Sequence, residues 1–544
     1  MKKIRYIHLI VTFFSTVCLC SCNDMENAPT NKFTDNNYWT SQEKAQRIVN
    51  MGYNQMYSAG TMWADECLSD NLMEGRGNTD QRMIRNGLAT PALGLFANQW
   101  KDLYGGIKTC HIFLEKVHLV NNMSEQVRAR MIAEIRFIRA YLYFRLTNEY
   151  GDVPFFTQDI SLEEAKTINR TNREIVIDFI HKELNEIINQ LPSRDQLAKS
   201  ERGKITKGAV CALQARIYLY DNNWEKVIEY CSHLMDNTSG YGTYALFPSY
   251  PGLFLQENEY NEEVILDCGY APSVRLWGEM YDMAPLSAGA RLNARAPLQS
   301  LVDSYLTING KSIHEDSEYD ENNPYENRDP RLTSTIVYDG YRWSENVADG
   351  SVGKVIQIKP GSKIPDDVYS GPNSNQSPTG YYVRKYFDPK HESSLNSSLN
   401  IIMMRYADIL LMYAEANLEL NRMNAEIWNK TIRPIRERAG FTANTALDFP
   451  ANKSSEEMRQ IIRNERRCEL ALEGLRWFDI KRWKAGSEYL NGYIYGAKFA
   501  NSNSEHIRLD NRRFLETRDY LWSVPQSQSD LNENLRPNNP GYAN

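Results

Sequence analysis

The chain has no basic surplus. Its 62 Lys and Arg are outnumbered by 69 Asp and Glu, for a formal charge of -7 and a pI near 5.8. Phosphate backbones need a positive footprint, so this acidity argues against nucleic acid as a partner. Metal-type cysteine spacing is missing too. Nine Cys are spread over 544 residues without a C-x-x-C, which leaves zinc ribbons and thioredoxin-type redox sites unsupported. Histidine is scarce, with 8 residues. His111 and His118 stand about 10.5 Å apart along a helix, too far to share one metal. No H-E-x-x-H, G-x-S-x-G or Walker-type loop occurs. Asp316 and Asp320 lack the glycine and spacing of an EF-hand loop, so structural calcium has no motif behind it and no cofactor is expected. Beyond the first 20 or so residues, no apolar run is long enough to span a bilayer.

The start of the chain carries a signal of its own. Lys2, Lys3 and Arg5 form a positive n-region ahead of an apolar run over 7–19 that is too short and too polar for a membrane span. Leu19-Cys20-Ser21-Cys22 looks like a bacterial lipobox. The expectation is a signal peptide over 1–21, lipidation at Cys22 and a tether over 22–40. Several acyl chains on one cysteine anchor a protein stably. The acidic stretch Asn23-Asp24-Met25-Glu26-Asn27 resembles a surface-export signal of some Gram-negative bacteria, which points to the outer face of the outer membrane.

The rest reads as mainly α. Helices are predicted over 41–57, with Thr40 or Ser41 as cap, over 96–120, and over 124–150, where Ile135, Ile138, Leu142 and Leu146 line one face. Gly151-Asp152-Val153-Pro154 stops the last of these, and Pro192 ends another over 172–191. The stripe Ala209, Leu213, Ile217 and Tyr220 and the stripe Trp224, Val227, Ile228 and Cys231 flank the short turn Asp221-Asn222-Asn223. Two amphipathic helices so joined must lie antiparallel. This pair resembles a tetratricopeptide unit, without strict repetition at the period of about 34 residues. The segment 64–95 has no clear period and reads as loop. Over 239–400 Gly, Pro, Asn and Tyr rise and helical periodicity fades. Strands are expected near 263–266 and 381–386, and 344–379 reads as a loop set. Helices return over 402–421, 425–439 and 455–484. The fold expected is one domain over 41–544: a tetratricopeptide-like helical-repeat scaffold over 41–238 and 401–500, an inserted irregular, loop-rich lobe over 239–400, and a C-terminal strap over 501–544.

Two groupings invite a chemical reading. Glu465, Glu469 and Glu473 recur every four residues, and a carboxylate pair could hydrolyse a glycoside. Yet Arg466, Arg467 and Arg476 stand beside them, Asp479 follows Arg476 by three, and Cys468, Leu472 and Leu475 form an apolar stripe. A partly buried ion-pair network on a packed helix is the better reading, extended to Arg405, Asp408 and Glu415. Cys231 and Cys468, on apolar stripes, read as buried free thiols. The second grouping is aromatic: 33 Tyr and 10 Trp against 18 Phe. Tyr and Trp join an apolar face to a polar edge, which suits stacking on sugar rings. Mixtures of such rings with polar partners nominate Asp70, Arg76 and Arg82; Phe96 with Asn98; Trp277 and Tyr281 with Arg291 and Asn293; and Trp343. The competing reading is that these pack the lobe against the helices.

A set of ordered motifs then carries a family resemblance. Glu134-Ile135-Arg136-Phe137-Ile138-Arg139-Ala140-Tyr141 leads to the Gly151-Asp152-Val153-Pro154 stop. Lys204-Ile205-Thr206-Lys207-Gly208-Ala209, Asp329-Pro330-Arg331-Leu332 and Ile432-Arg433-Pro434-Ile435-Arg436-Glu437-Arg438-Ala439-Gly440 follow. So do the segments 405–416 and 463–479, then Leu521-Trp522-Ser523-Val524-Pro525 and Asn539-Pro540-Gly541-Tyr542. In this order they resemble the SusD/RagB family. The resemblance implies helical outer-membrane lipoproteins built on tetratricopeptide pairs over a SusC-like TonB-dependent transporter. Such proteins capture oligosaccharides, or in some cases peptides, and do no bond chemistry. A peptide-capturing relative and, from another class, a glycoside hydrolase are the alternatives.

Overall fold

The computed structural model describes residues 38–77, 79–237, 240–344, 353–372, 374–387, 395–499 and 505–543. The leader, Cys22 and most of the tether lie outside the described residues. The helices used below are α1 (Gln42–Met56), α2 (Ala59–Cys67), α3 (Gly94–Lys116), α4 (Glu125–Tyr150), α5 (Arg173–Ile187), α6 (Lys207–Tyr220), α7 (Trp224–Met235), α8 (Tyr406–Glu419), α9 (Ser455–Glu469) and α10 (Arg476–Arg482). Helix α1 packs on α3 and α4, α4 on α5, α6 on α7, α7 on α8, and α8 on α9. Helices α4, α6 and α8 are buried on nearly every side, so α6 is not amphipathic as expected, while α1, α5, α7 and α9 each turn one apolar face to a neighbour, as in a helical-repeat stack.

Side-chain oxygens start these helices. Ser41 accepts from Lys44 N at 3.3 Å, Ser124 from Val127 N at 3.3 Å, Thr206 from Ala209 N at 3.2 Å and Asn223 from Lys226 N at 3.4 Å. Each satisfies one backbone donor that has no partner inside its helix. Gly151, at φ 70°, terminates α4.

Four further expectations change. The segment 64–95 is not all loop: α2 ends at Cys67, strand β1 covers Leu72–Glu74, and a short helix covers Asp80–Arg85. The predicted helix over 402–421 begins at Tyr406, because Ile401–Arg405 form a strand. A short apolar run fits a buried strand as well as a helix. The helix over 425–439 divides at Thr431. The helix over 455–484 breaks at Leu472 (φ 62°) and Gly474 (φ 75°), so Glu473 does not share a helical face with Glu465 and Glu469.

The lobe is held by small antiparallel ladders. β1 pairs with β3 (Arg295–Pro297), and β2 (Val264–Cys268) with β4 (Ile401–Arg405). β5 (Gly492–Tyr495) pairs with β6 (Arg508–Arg512). The strand expected near 381–386 is the two-residue Tyr382–Val383, paired with Ile336–Val337. The β1–β3 and β5–β6 ladders meet through a small apolar cluster of Met73, Leu298, Ile494 and Leu509.

A buried ion network joins lobe to scaffold. Arg405 reaches Glu263 at 2.7 Å, Glu469 at 2.6 Å and Glu473 at 2.7 Å. Arg331 meets Asp329 at 2.7 Å and Glu465 at 2.8 Å. Arg466 spans Asp408 at 2.5 Å and Asp479 at 2.8 Å, and Arg482 holds Glu415 at 2.6 Å. The carboxylates near 465–473 are therefore framework groups. One pairing differs from expectation: Arg476 reaches Asp70 at 2.8 Å, while Asp479 accepts from Arg466 and Arg482. Cys231 and Cys468 are buried free thiols.

Candidate functional site

An open cleft of about 440 Å³ lies where the end of the β1–β3 ladder meets the irregular lobe. Its wall begins with Glu74 and Arg295, the last register pair of that ladder. Past β1 the chain turns close to the lobe: Gly75 N donates to Ala294 O at 2.8 Å, and a Cβ there would stand 2.8 Å from Pro378. The turn delivers Arg76, whose guanidinium donates to Ser374 O at 3.2 Å and Asn375 Oδ1 at 2.7 Å. Thr79, also on the wall, caps the Asp80–Arg85 helix by accepting from Arg82 N. The lobe side supplies Glu279, Asp282, Arg291 and Asn396. Arg291 clamps Asp282 through two bonds of 3.0 and 2.9 Å and donates to Gly278 O at 3.2 Å.

The cleft is polar and mixed in sign. Arg76, Arg291 and Arg295 stand with Glu74, Glu279 and Asp282. Glu74 Oε2 and Arg295 Nε are buried and have no hydrogen-bond partner among the described residues. Both atoms are closed to solvent, so their unmet bonds are a cost carried inside the wall rather than contacts offered to a ligand. The carboxyls whose proton affinity burial raises, Asp65, Glu66, Glu134, Asp267 and Asp367, lie outside the cleft. No group of three or more His, Cys, Asp or Glu side chains placed to hold a metal occurs among the described residues.

Of the residues nominated from sequence, Arg76 and Arg291 come together here. Arg82 lies outside the lining, bound to Asp510 at 3.0 Å, and Asn98 is exposed on α3 away from it. The other six are corrected, because burial leaves them no face for a ligand. Asp70 is enclosed by Arg467 at 2.9 Å and Arg476 at 2.8 Å. Burial alone would push its carboxyl up, but those two guanidiniums outweigh it and hold it well below the usual carboxylate range. Phe96 packs on Trp522 at 5.1 Å between ring centroids. Trp277 is buried and its Nε1 donates to Leu399 O at 2.7 Å. Tyr281 is buried beside Phe387, and Asn293 is buried with its amide on Met283 O. Trp343 lies under the Arg384 guanidinium and against Phe387. The packing alternative describes these six. Glu74, Thr79, Glu279, Asp282, Arg295 and Asn396 were missed. Only nearness in sequence to Arg76 or Arg291 could have flagged most of them, since no motif marks them.

The family can now be assigned. A family model described as "SusD family" matches residues 268–542, and a second, described as "Starch-binding associating with outer membrane", matches residues 24–219. This chain belongs to the SusD family. Among its SusD-family relatives, SusD-like protein P2 of Formosa agariphila is 26% identical over 553 residues, covering 99% of each chain. The solved structure of a SusD-like carbohydrate binding protein from Bacteroides fragilis superposes with a TM-score of 0.83 at 27% identity, over 92% of this chain and 100% of that one. A laminarin binding SusD-like protein shares the fold, with a TM-score of 0.67 at 22% identity over 92% of this chain and 100% of that one. The SusD-family scaffold accounts for the stacked helices and the lobe they carry.

Proposed function

We propose that this protein is a cell-surface lipoprotein, anchored through Cys22, that captures oligo- or polysaccharide in the Arg76–Arg291 cleft. It then hands the glycan, uncut, to a SusC-like TonB-dependent transporter in the outer membrane. The observation that carries the reading is the composition of the cleft: three guanidiniums and three carboxylates around an open polar space. A neutral sugar presents many hydroxyls, each both donor and acceptor, and needs such a mixture without net charge. The carbohydrate and starch binding named for its relatives supports the same choice. Capture without cleavage is supported by the binding, rather than hydrolysis, for which its relatives are named.

Electrophoresis through gels cast with soluble polysaccharides tests this. Wild-type protein is expected to migrate more slowly in at least one glycan gel, with no reducing sugar released. Arg76→Ala/Arg291→Ala is expected to lose tenfold or more in affinity, since hydrogen bonds to charged groups contribute roughly 1.5–3 kcal/mol each. Release of products, or binding of peptides and no glycan, would overturn the proposal. Loss of acyl labelling in Cys22→Ser tests the anchor.

A further inference from the structure

The β5–β6 hairpin presents a second surface that the cleft does not use. Among the described residues, only two of the large exposed apolar side chains are aromatic: Tyr493 at 50% and Tyr495 at 43% exposure. They stand two apart on β5, so they share one face of the strand. The opposite face is spent on packing, where Ile494 and Leu509 meet Met73 and Leu298. Core formation therefore does not require aromatics on the outer face.

The neighbours of these rings are polar. The Arg508 guanidinium lies over the Tyr493 ring, 3.4 Å from its centroid, and makes no ion pair or side-chain hydrogen bond among the described residues. His506 approaches Tyr495 at 6.2 Å between ring centroids. Its Nδ1 is bonded to Gly496 O at 3.1 Å, so Nδ1 donates, and Nε2 has no partner among the described residues. His506 and Lys498 also border a recess of about 150 Å³ with Tyr319 and Tyr325 in its wall. A polar relay crosses that wall. Tyr381 Oη donates to Gln299 Oε1 at 2.6 Å, and Gln299 Nε2 donates to Asp303 Oδ1 at 2.7 Å. The recess and the Arg76–Arg291 cleft share no lining residue.

A cross-strand cation–π pair would by itself explain Tyr493 as a hairpin stabiliser. It does not explain the exposed Tyr495, nor the tyrosine-lined recess next to it. The two ring centroids are 6.5 Å apart with their planes at 63°, so the rings offer two separately inclined faces rather than one flat shelf. Exposed rings beside a guanidinium donor and an imidazole Nε2 acceptor, neither hydrogen-bonded through these groups among the described residues, are the elements of a carbohydrate contact surface.

We propose that the outer face of this hairpin, with its recess, is a second glycan-contact surface. One polysaccharide chain packs on Tyr495 and on the face of Tyr493 that Arg508 leaves open, its hydroxyls meet Arg508 and His506, and a sugar unit enters the recess. This rests on the glycan reading of the cleft and adds that long chains are held at two places.

A glycan microarray carrying polysaccharides beside their tetramers provides the test. Tyr493→Ala/Tyr495→Ala is expected to lower the ratio of polymer to tetramer signal at least fivefold on every glycan the wild type binds. Tyr493→Phe/Tyr495→Phe, which keeps both rings, is expected to hold that ratio. Thermal melting of each variant separates loss of contact from loss of fold. An unchanged ratio in the alanine variant overturns this surface alone, provided that Arg76→Ala/Arg291→Ala loses its tetramer signal. Loss of the ratio in the phenylalanine variant overturns stacking as the basis. A wild type that binds no glycan overturns both proposals.

Discussion

Asp267 shows how burial sets the behaviour of a single side chain here. It lies in β2 at 3% exposure, with Oδ2 bonded to Asn400 Nδ2 at 2.9 Å and Oδ1 without a partner. Burial pushes its carboxyl up from 3.8 to about 7, against the smaller lowering by the Asn400 bond. A raised folded value means that the favourable contribution is complete below the unfolded value and is lost as the pH rises through 7. A shift of that size corresponds to roughly 4 kcal/mol at most. Asp267→Asn keeps an oxygen for Asn400 and removes the charge. The variant should match wild type near pH 4 and exceed it by about 1–3 kcal/mol at pH 8 in urea unfolding. A difference that does not widen with pH would falsify this account. The same scale explains which sites were legible in the sequence. Arg76 and Arg291 could be named because the irregular segments mix aromatic rings with the Arg, Asp and Asn partners that sugar hydroxyls need. Trp277, Tyr281 and Trp343 were misplaced because an aperiodic segment gives no face, and only tertiary packing decides whether a large ring is platform or core.

Helix starts were the most readable elements. Ser41, one of the two caps named from sequence, accepts the backbone bond its position foretells, and Ser124, Thr206 and Asn223, not named as caps, do the same at three more starts. Among short elements, the strands near 263–266 and 381–386 were read, but β1, α2 and the Asp80–Arg85 helix were not, because they complete too few periods to show a pattern. The break between α9 and α10 was missed for another reason. Apolar and charged residues continue through it, and only Gly474 marks it. That glycine has φ 75°, and a Cβ would meet Met62 O at 3.1 Å and Tyr57 Oη at 3.0 Å. Its N–H donates to the buried Glu66 Oε2 at 2.9 Å, so the turn cannot shift without breaking that bond. Gly474→Ala should therefore cost about 2 kcal/mol or more, from left-handed strain together with the contact. Guanidinium unfolding checks this, and a loss below about 0.5 kcal/mol would show that the turn relaxes.

At the scale of the molecule, the two family-matched stretches, 24–219 and 268–542, are stitched together by buried polar bonds. Asp70 from the first is held by Arg467 and Arg476 from the second. Glu66 accepts from Leu472 N at 3.3 Å and from Gly474 N at 2.9 Å. Glu149 pairs with Lys481 at 3.2 Å, and its carbonyl accepts from Trp522 N at 2.6 Å. Asn539 Nδ2 closes the strap on Tyr150 O at 2.7 Å. Separating the stretches would leave buried charges without partners, which costs about 3–5 kcal/mol where a buried pair is broken. Chains longer than roughly 250–300 residues usually divide into independently stable units, so the expectation here is specific. The protein should melt in one calorimetric transition whose van't Hoff and calorimetric enthalpies agree, and 24–219 expressed alone should lack a cooperative transition. Two transitions, or a separately folding N-terminal piece, would show that the bonds across the molecule do not couple its halves. The cleft would then lose its common frame, because β1 belongs to the first stretch and β3 to the second. A single transition means that the frame holding Arg76 opposite Arg291 is lost only when the whole protein unfolds.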